Sequence, residues 1–137
     1  MFNISKQSDY GLLMLEYLKD KKDYTSLTEI VEKLKLPKIK LPKRFLARIA
    51  SKLVSAKILL SREGKIGGYL LNPKIKSLTL YDYLKVFEGD LALTKCFDKN
   101  YQCQWEKNCS HKKFFDNKLR NAFIENLKKE KLLKILG

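Results

Sequence analysis

The sequence predicts a mainly α-helical chain with one small β-hairpin, and three observations lead there. Apolar residues recur at helical spacing over several stretches. A glycine-rich turn separates two short apolar runs near the middle. Helix-capping patterns stand where the helical periods begin. A length of 137 residues suits one domain and is short for two.

Tyr10, Leu13, Met14, Tyr17 and Leu18 lie on one helical face, so a first helix is expected over residues 7–19. Ser26-Leu27-Thr28-Glu29 has the capping-box pattern, and Ile30, Val31 and Leu34 give the second helix its buried face. Pro37 and Pro42 break the next stretch into a turn. From Lys43 the helical period resumes, with Phe45, Leu46, Ile49, Leu53 and Ala56 inward. Arg44, Arg48, Lys52 and Ser55 fall outside that stripe. Strands are expected over 58–61 and 69–71, joined by the glycine-bearing turn 62–68. Helix, turn, helix and hairpin is the order of a winged helix-turn-helix, which places its second motif helix in the major groove. Thr79 is the expected cap of a further helix, with Asp82 at its positive end, that stops at Gly89. Residues 90–111 read as irregular. A long helix is expected from about 112 to the end, with a stripe of Phe115, Leu119, Ala122, Phe123, Leu127 and Leu133. A second copy of the chain is the simplest cover for that stripe, and folding back onto the first helix is the other.

Charge narrows the partners. The net charge is +14, from 29 basic and 15 acidic residues. From 33 to 57 there are nine basic residues and no acidic one. A helix there presents a positive face of the kind that meets phosphates, so double-stranded DNA is the expected partner. Lys43, Lys52, Arg62 and Lys65 are the candidate phosphate contacts. Arg44 and Arg48 are the candidates for base edges, because a guanidinium can make two bonds to guanine. No apolar run is long enough to span a bilayer, and Asp9 and Glu16 interrupt any signal-peptide core, so the expected location is the cytoplasm. There is no glycine-rich phosphate loop or serine nucleophile motif, and only one histidine, so an enzyme is not expected.

All three cysteines fall in a short span, at Cys96, Cys103 and Cys109. Bunched thiols in a cytosolic chain point to metal or redox chemistry. They suit an iron–sulfur cluster; zinc with His111 as a fourth ligand, or free thiols, are the alternatives. Trp105 lies among them, either shielding a cluster or packing on the last helix.

Taken together these segments resemble the IscR/NsrR (Rrf-two) family of iron–sulfur transcriptional regulators over nearly the whole chain. The matching pieces are Asp9-Tyr10-Gly11-Leu12, Phe45-Leu46-Ala47-Arg48-Ile49 with Lys52-Leu53, and Gly67-Gly68-Tyr69-Leu70-Leu71. The run from Leu78 through Glu88-Gly89, followed by Leu91-Ala92-Leu93 and Cys96, is the most specific. Two features depart from the family. Six residues separate Cys96 from Cys103, against about five, and the turn over 36–42 is longer.

The resemblance implies a winged helix-turn-helix over 1–89, a cysteine cluster loop over 90–111 and a dimerisation helix over 112–137. It implies a homodimeric regulator, expected to be a repressor, that senses redox state, nitric oxide or iron–sulfur status through a two-iron or four-iron cluster. Cys96, Cys103 and Cys109 would be ligands. The fourth would be Asp9 of the partner subunit, with His111 as competitor. The alternative is a winged-helix nucleic-acid-binding protein with structural zinc or free cysteines.

Overall fold

The computed structural model describes residues 3–34 and 42–137. The turn expected over 36–42 lies outside the described residues, apart from Pro42, as do Lys35, Lys38 and Lys40. The order is α1 (Lys6–Leu18), α2 (Leu27–Leu34), α3 (Lys43–Ser55), β1 (Leu59–Arg62), β2 (Gly68–Leu71), α4 (Leu80–Glu88), α5 (Arg120–Lys129) and α6 (Leu132–Ile135). This is the expected mainly helical winged helix-turn-helix.

Ser5 caps α1, its hydroxyl accepting the Ser8 amide at 3.3 Å. At α2 half of the expected capping box forms. Ser26 Oγ accepts the Glu29 amide at 3.2 Å, while the Glu29 carboxylate accepts the Tyr17 hydroxyl at 3.2 Å and ties α2 to α1. At α4 the box is complete, between Thr79 and Asp82. Met14, Leu15 and Leu18 of α1, Ile30 of α2 and Leu46, Ile49, Ala50 and Leu53 of α3 are fully buried in one core. Each large side chain sealed this way contributes roughly 1.5–3 kcal/mol. Phe45 is half-buried, and Ala56, expected inward, is exposed at the end of α3.

β1 and β2 pair antiparallel, Leu59 opposite Leu71 and Arg62 opposite Gly68. Thr25 adds a bridge on the other side of β2, exchanging two 2.9 Å bonds with Tyr69. Gly68 permits that approach. Its φ of +144° is unfavourable for a side chain, and a Cβ would strike the Thr25 carbonyl.

The C-terminal region departs from one helix running to the end. Its first turns, Phe114–Leu119, are π-helical before α5 begins. A π turn takes one residue more than an α turn, so it rotates the rest of the helix out of phase. Leu119 and Ala122 are therefore exposed, while Ile124, absent from the expected stripe, is buried with Leu127. α5 ends at Lys129 because the chain leaves to pair with the segment before α4. Leu80 N–H donates to the Glu130 carbonyl at 2.8 Å and Leu132 N–H to the Leu78 carbonyl at 2.9 Å. α6 then sets Leu132 and Leu136 into the core. Phe114 and Leu119 stay exposed, at 52% and 40%.

α3 ends in a Schellman motif. Lys57 N–H reaches the Val54 carbonyl at 3.0 Å and Ile58 N–H the Leu53 carbonyl at 2.9 Å. Lys57 occupies the left-handed position with φ +61°, which costs an L residue roughly 1–2 kcal/mol. Lys57→Gly should raise stability by about 0.5–1 kcal/mol, as a higher urea midpoint with unchanged slope; an unchanged or lower midpoint contradicts the strain.

Candidate nucleic-acid interface and cysteine loop

Arg44, Arg48 and Lys52 follow one another at four-residue intervals and so share the exposed face of α3. Among the described residues the side chains of Arg44 and Arg48 make no hydrogen bond or ion pair. Lys43 and Lys52 are bonded within the chain. Lys43 Nζ donates to Thr28 Oγ1 at 2.9 Å, and Lys52 Nζ to Gln7 Oε1 at 2.8 Å. Lys52 also lies 5.7 Å from the centre of the Phe87 ring. On the wing Lys65 is exposed, whereas Arg62 is engaged by its own loop. A cleft of ≈ 430 Å³ separates the start of α2 and Lys43 from the wing turn. Hydroxyls of Ser26 and Thr28 and the Lys43 ammonium sit on its helix side.

Behind this face α1, α3 and α4 meet at Gly11. A Cβ there would run into the Tyr83 hydroxyl and crowd Phe87 at 3.3 Å and Ile49 at 3.4 Å. The fully buried Tyr83 donates its hydroxyl to the Ser8 carbonyl at 2.6 Å. Burial, then the charges of Asp9 and Glu88, push its phenol well above the usual range, so it stays a donor. Glu88 Oε1 accepts the Ser8 hydroxyl at 2.6 Å and the Ser5 amide at 2.8 Å. The carboxylate thereby sits at the positive end of α1, where helix amides and dipole favour an anion. Burial works to raise its pKa, but the hydrogen bonds from Ser8 and Ser5, helped by Lys52, bring it below the usual carboxylate range.

The loop leaves directly from this junction at Gly89. It is irregular apart from 3-10 turns at Lys95–Phe97 and Glu106–Asn108. Buried Leu91 anchors it, and Arg120 Nε donates to the Leu91 carbonyl at 3.1 Å. At the loop's far end Lys112 makes a 2.6 Å ion pair with Glu106, and its ammonium also lies close to Cys96 and 5.9 Å from the centre of the Phe97 ring near the loop's start.

Cys96, Cys103 and Cys109 are free thiols, each half-buried. Cys96 Sγ lies 2.9 Å from Thr94 Oγ1, and Cys109 Sγ lies 3.4 Å from His111 Nε2. Among the described residues no three His, Cys, Asp or Glu side chains gather to hold a metal ion. The fold thus brings Cys109 and His111 together but not the three thiols. Asp9 is exposed in the first turn of α1 and stands near Tyr83. The donor chemistry fits an iron–sulfur cluster: three soft thiols, none in a disulfide, on one loop that is irregular apart from two short 3-10 turns. Trp105 is 72% exposed and does not pack on the last helix. The residues that sequence reasoning missed are Ser8, Tyr83 and Glu88. The only signal for them was the run ending in Glu88-Gly89.

A basic helix and a wing on one winged helix-turn-helix body define the class: a DNA-binding transcriptional regulator, not an enzyme. More narrowly, this chain belongs to the Rrf2 family, described as iron-dependent transcriptional regulators, whose sequence profile matches residues 4–137. No curated protein matches it in sequence. Among solved structures it is similar to CymR (YrzC), the global cysteine regulator of B. subtilis. That likeness has 25% identity, a TM-score of 0.70, and covers 99% of this chain and 97% of that one. The oxidised form of Staphylococcus aureus CymR shares the fold at 22% identity and TM-score 0.70, over 98% of this chain and 96% of that one. IscR of T. potens does so at 21% identity and TM-score 0.64, over 98% and 86%. Among the described residues no helix is long and apolar enough to cross a membrane.

Glu88 supplies a test of the junction. A carboxyl whose folded pKa is depressed adds stability that is complete above its unfolded pKa and is lost as pH falls through the folded one. Glu88→Gln should cost about 1 kcal/mol near neutral pH. The gap to wild type should close on acidification below the usual carboxylate range, in urea unfolding at a series of pH values. A gap that persists in acid contradicts the charge argument.

Proposed function

We propose that the chain is a homodimeric repressor, working in the cytoplasm, whose cysteine loop holds an iron–sulfur cluster that sets its affinity for DNA. The observation that carries this is three free, half-buried thiols on the one loop that joins the Glu88 junction to the C-terminal helix. The family's iron-dependent description supports it. Bound there, a cluster supplies reactivity toward oxidants and nitric oxide. Cys96, Cys103 and Cys109 hold it, and the partner's Asp9 completes the set, with His111 as competitor. Asp9 is favoured because it is exposed in the first turn of α1, where a partner's loop can reach it. A carboxylate is a weaker iron ligand than a thiolate, so the Asp9 bond is the labile one. The open Phe114 and Leu119 side chains are the surface a second copy covers, setting two α3 helices about 34 Å apart. A shift of the loop alters that spacing. A second reading, a regulator with free thiols or structural zinc, is favoured by the likeness to the cysteine regulator CymR and by the contact of Cys109 with His111.

On the DNA side, the guanidiniums of Arg44 and Arg48, without partners among the described residues, read bases, and Lys43, Lys52 and Lys65 meet phosphates after releasing their partners within the chain where they have them. Losing an arginine at a base should cost about 1–3 kcal/mol and relax one position of the site. A double Arg44→Ala, Arg48→Ala variant that binds a selected duplex as wild type does would rule this assignment out. For the cluster, each single Cys→Ala variant prepared without oxygen should lose visible absorbance and iron. Asp9→Ala should keep iron but shorten cluster lifetime, and His111→Ala should leave both unchanged. Colourless wild-type protein with one zinc per chain favours the second reading instead. Loss of the cluster from His111→Ala alone excludes Asp9.

A further inference from the structure

Where the end of α1 meets β2 and α6, the fold leaves an apolar hollow of ≈ 410 Å³. β2 makes one wall. Its pairing sets Leu71 opposite the buried Leu59 and Leu70 opposite Leu60. Successive strand residues face opposite ways, so Leu70 stands on the other side of the hairpin, outside the core. Pro73 carries this wall on beyond the strand, and Leu133 of α6 adds to the lining. Lys19 fastens that last helix. Its Nζ donates to the carbonyls of Leu136 and Gly137, at 2.7 Å each, so the end of α1 holds α6 in place.

The charge around this hollow has one sign. Lys19, Lys21, Lys22 and Lys76 line it, and among the described residues no carboxylate does. Two of the four are already engaged: Lys19 by the carbonyls, and Lys21 by the Tyr17 ring, 4.8 Å from its centre. Lys22 and Lys76 are exposed and make no hydrogen bond, ion pair or ring contact among the described residues. Of the acidic side chains nearest in sequence, Asp23 pairs with Arg62 at 3.5 Å and Asp20 does not line the hollow. A concave apolar site of a few hundred Å³ with few charged groups at its mouth is the usual form of a small-molecule site. Two free ammoniums beside aliphatic walls suit an anion with an apolar body. Inorganic phosphate or a nucleic-acid backbone would leave the walls wet, and a neutral hydrocarbon would leave the ammoniums without a partner. None of these residues lies on α3 or lines the cleft at the start of α2.

We infer that this hollow binds a small organic carboxylate with an aliphatic body. The carboxylate meets Lys22 and Lys76, and the body lies against Leu70, Pro73 and Leu133. The inference goes beyond the proposed regulator and rests on neither the cluster nor the reading of α3.

The test titrates the full chain, prepared without oxygen, with octanoate, acetate and octanol in a calorimeter. Octanoate should saturate one site per chain. Acetate lacks the body and octanol the charge, so each should bind at least about tenfold more weakly. The double variant Lys22→Glu, Lys76→Glu changes two exposed side chains and should lose octanoate binding by about tenfold or more. Lys113→Glu with Lys129→Glu makes the same change in net charge at exposed positions elsewhere and should bind as wild type does. The inference is overturned if octanoate does not saturate, or if acetate or octanol binds equally well. Equal loss in the two double variants also overturns it, since that marks attraction to the net charge alone. A DNA salt slope lowered by about two in the Lys22, Lys76 variant marks phosphate contacts, and a changed oligomeric state marks a contact between copies. Either result overturns the inference and leaves the proposed regulator standing.

Discussion

The arrangement depends on one close approach: the Tyr83 hydroxyl seated on the Ser8 carbonyl across Gly11. Any side chain at position 11 would push α1 away from α4. Ile49 of α3 packs at the same point, so α3 would move as well. Burial at this junction demands that every polar group be paired, and it is: among the described residues no buried side-chain nitrogen or oxygen lacks a partner. Glu88 completes the junction by closing the start of α1 with a charge at the helix's positive end.

That junction gives the DNA-facing and cysteine-bearing halves a shared part. Glu88 ends α4, and the cysteine loop begins two residues later, after Gly89. Its carboxylate holds the α1 N-terminus, and Lys52, on the exposed side of α3, contributes to lowering its pKa. A loop that changed shape would pull first on Glu88, then on α1 and α3. The chain's net charge of +14 works against compactness while favouring a polyanion, and bound phosphates relieve that repulsion.

Much of this was legible in the sequence. The periods of α1 to α4, the Thr79 cap and the wing all came from local patterns, which dominate where a helix or hairpin is set by its own residues. What was not legible depended on contacts distant in sequence. The end of α5 is set by pairing between Glu130 and Leu80, fifty residues apart, and no local breaker marks it. The π turn shifts the phase of the C-terminal stripe, so Ile124 replaced Leu119 and Ala122 inside. For the candidate site, the basic face of α3 was visible as charge, but the engagement of Lys52 by Gln7 and of Arg62 by Ile66 was not. The cysteines were evident as a group. Ser8 and Glu88 were not, because a serine and a glutamate eighty residues apart show no pattern until the chain folds.

The central claim is that the state of the cysteine loop sets DNA affinity. The most direct measurement is the dissociation constant for one selected duplex, taken without oxygen at fixed salt on a single preparation, before and after stoichiometric nitric oxide or chelation of its iron. The account predicts a visible absorbance that disappears together with a change in affinity of tenfold or more. The same affinity before and after, in protein shown to have lost its iron, would contradict it.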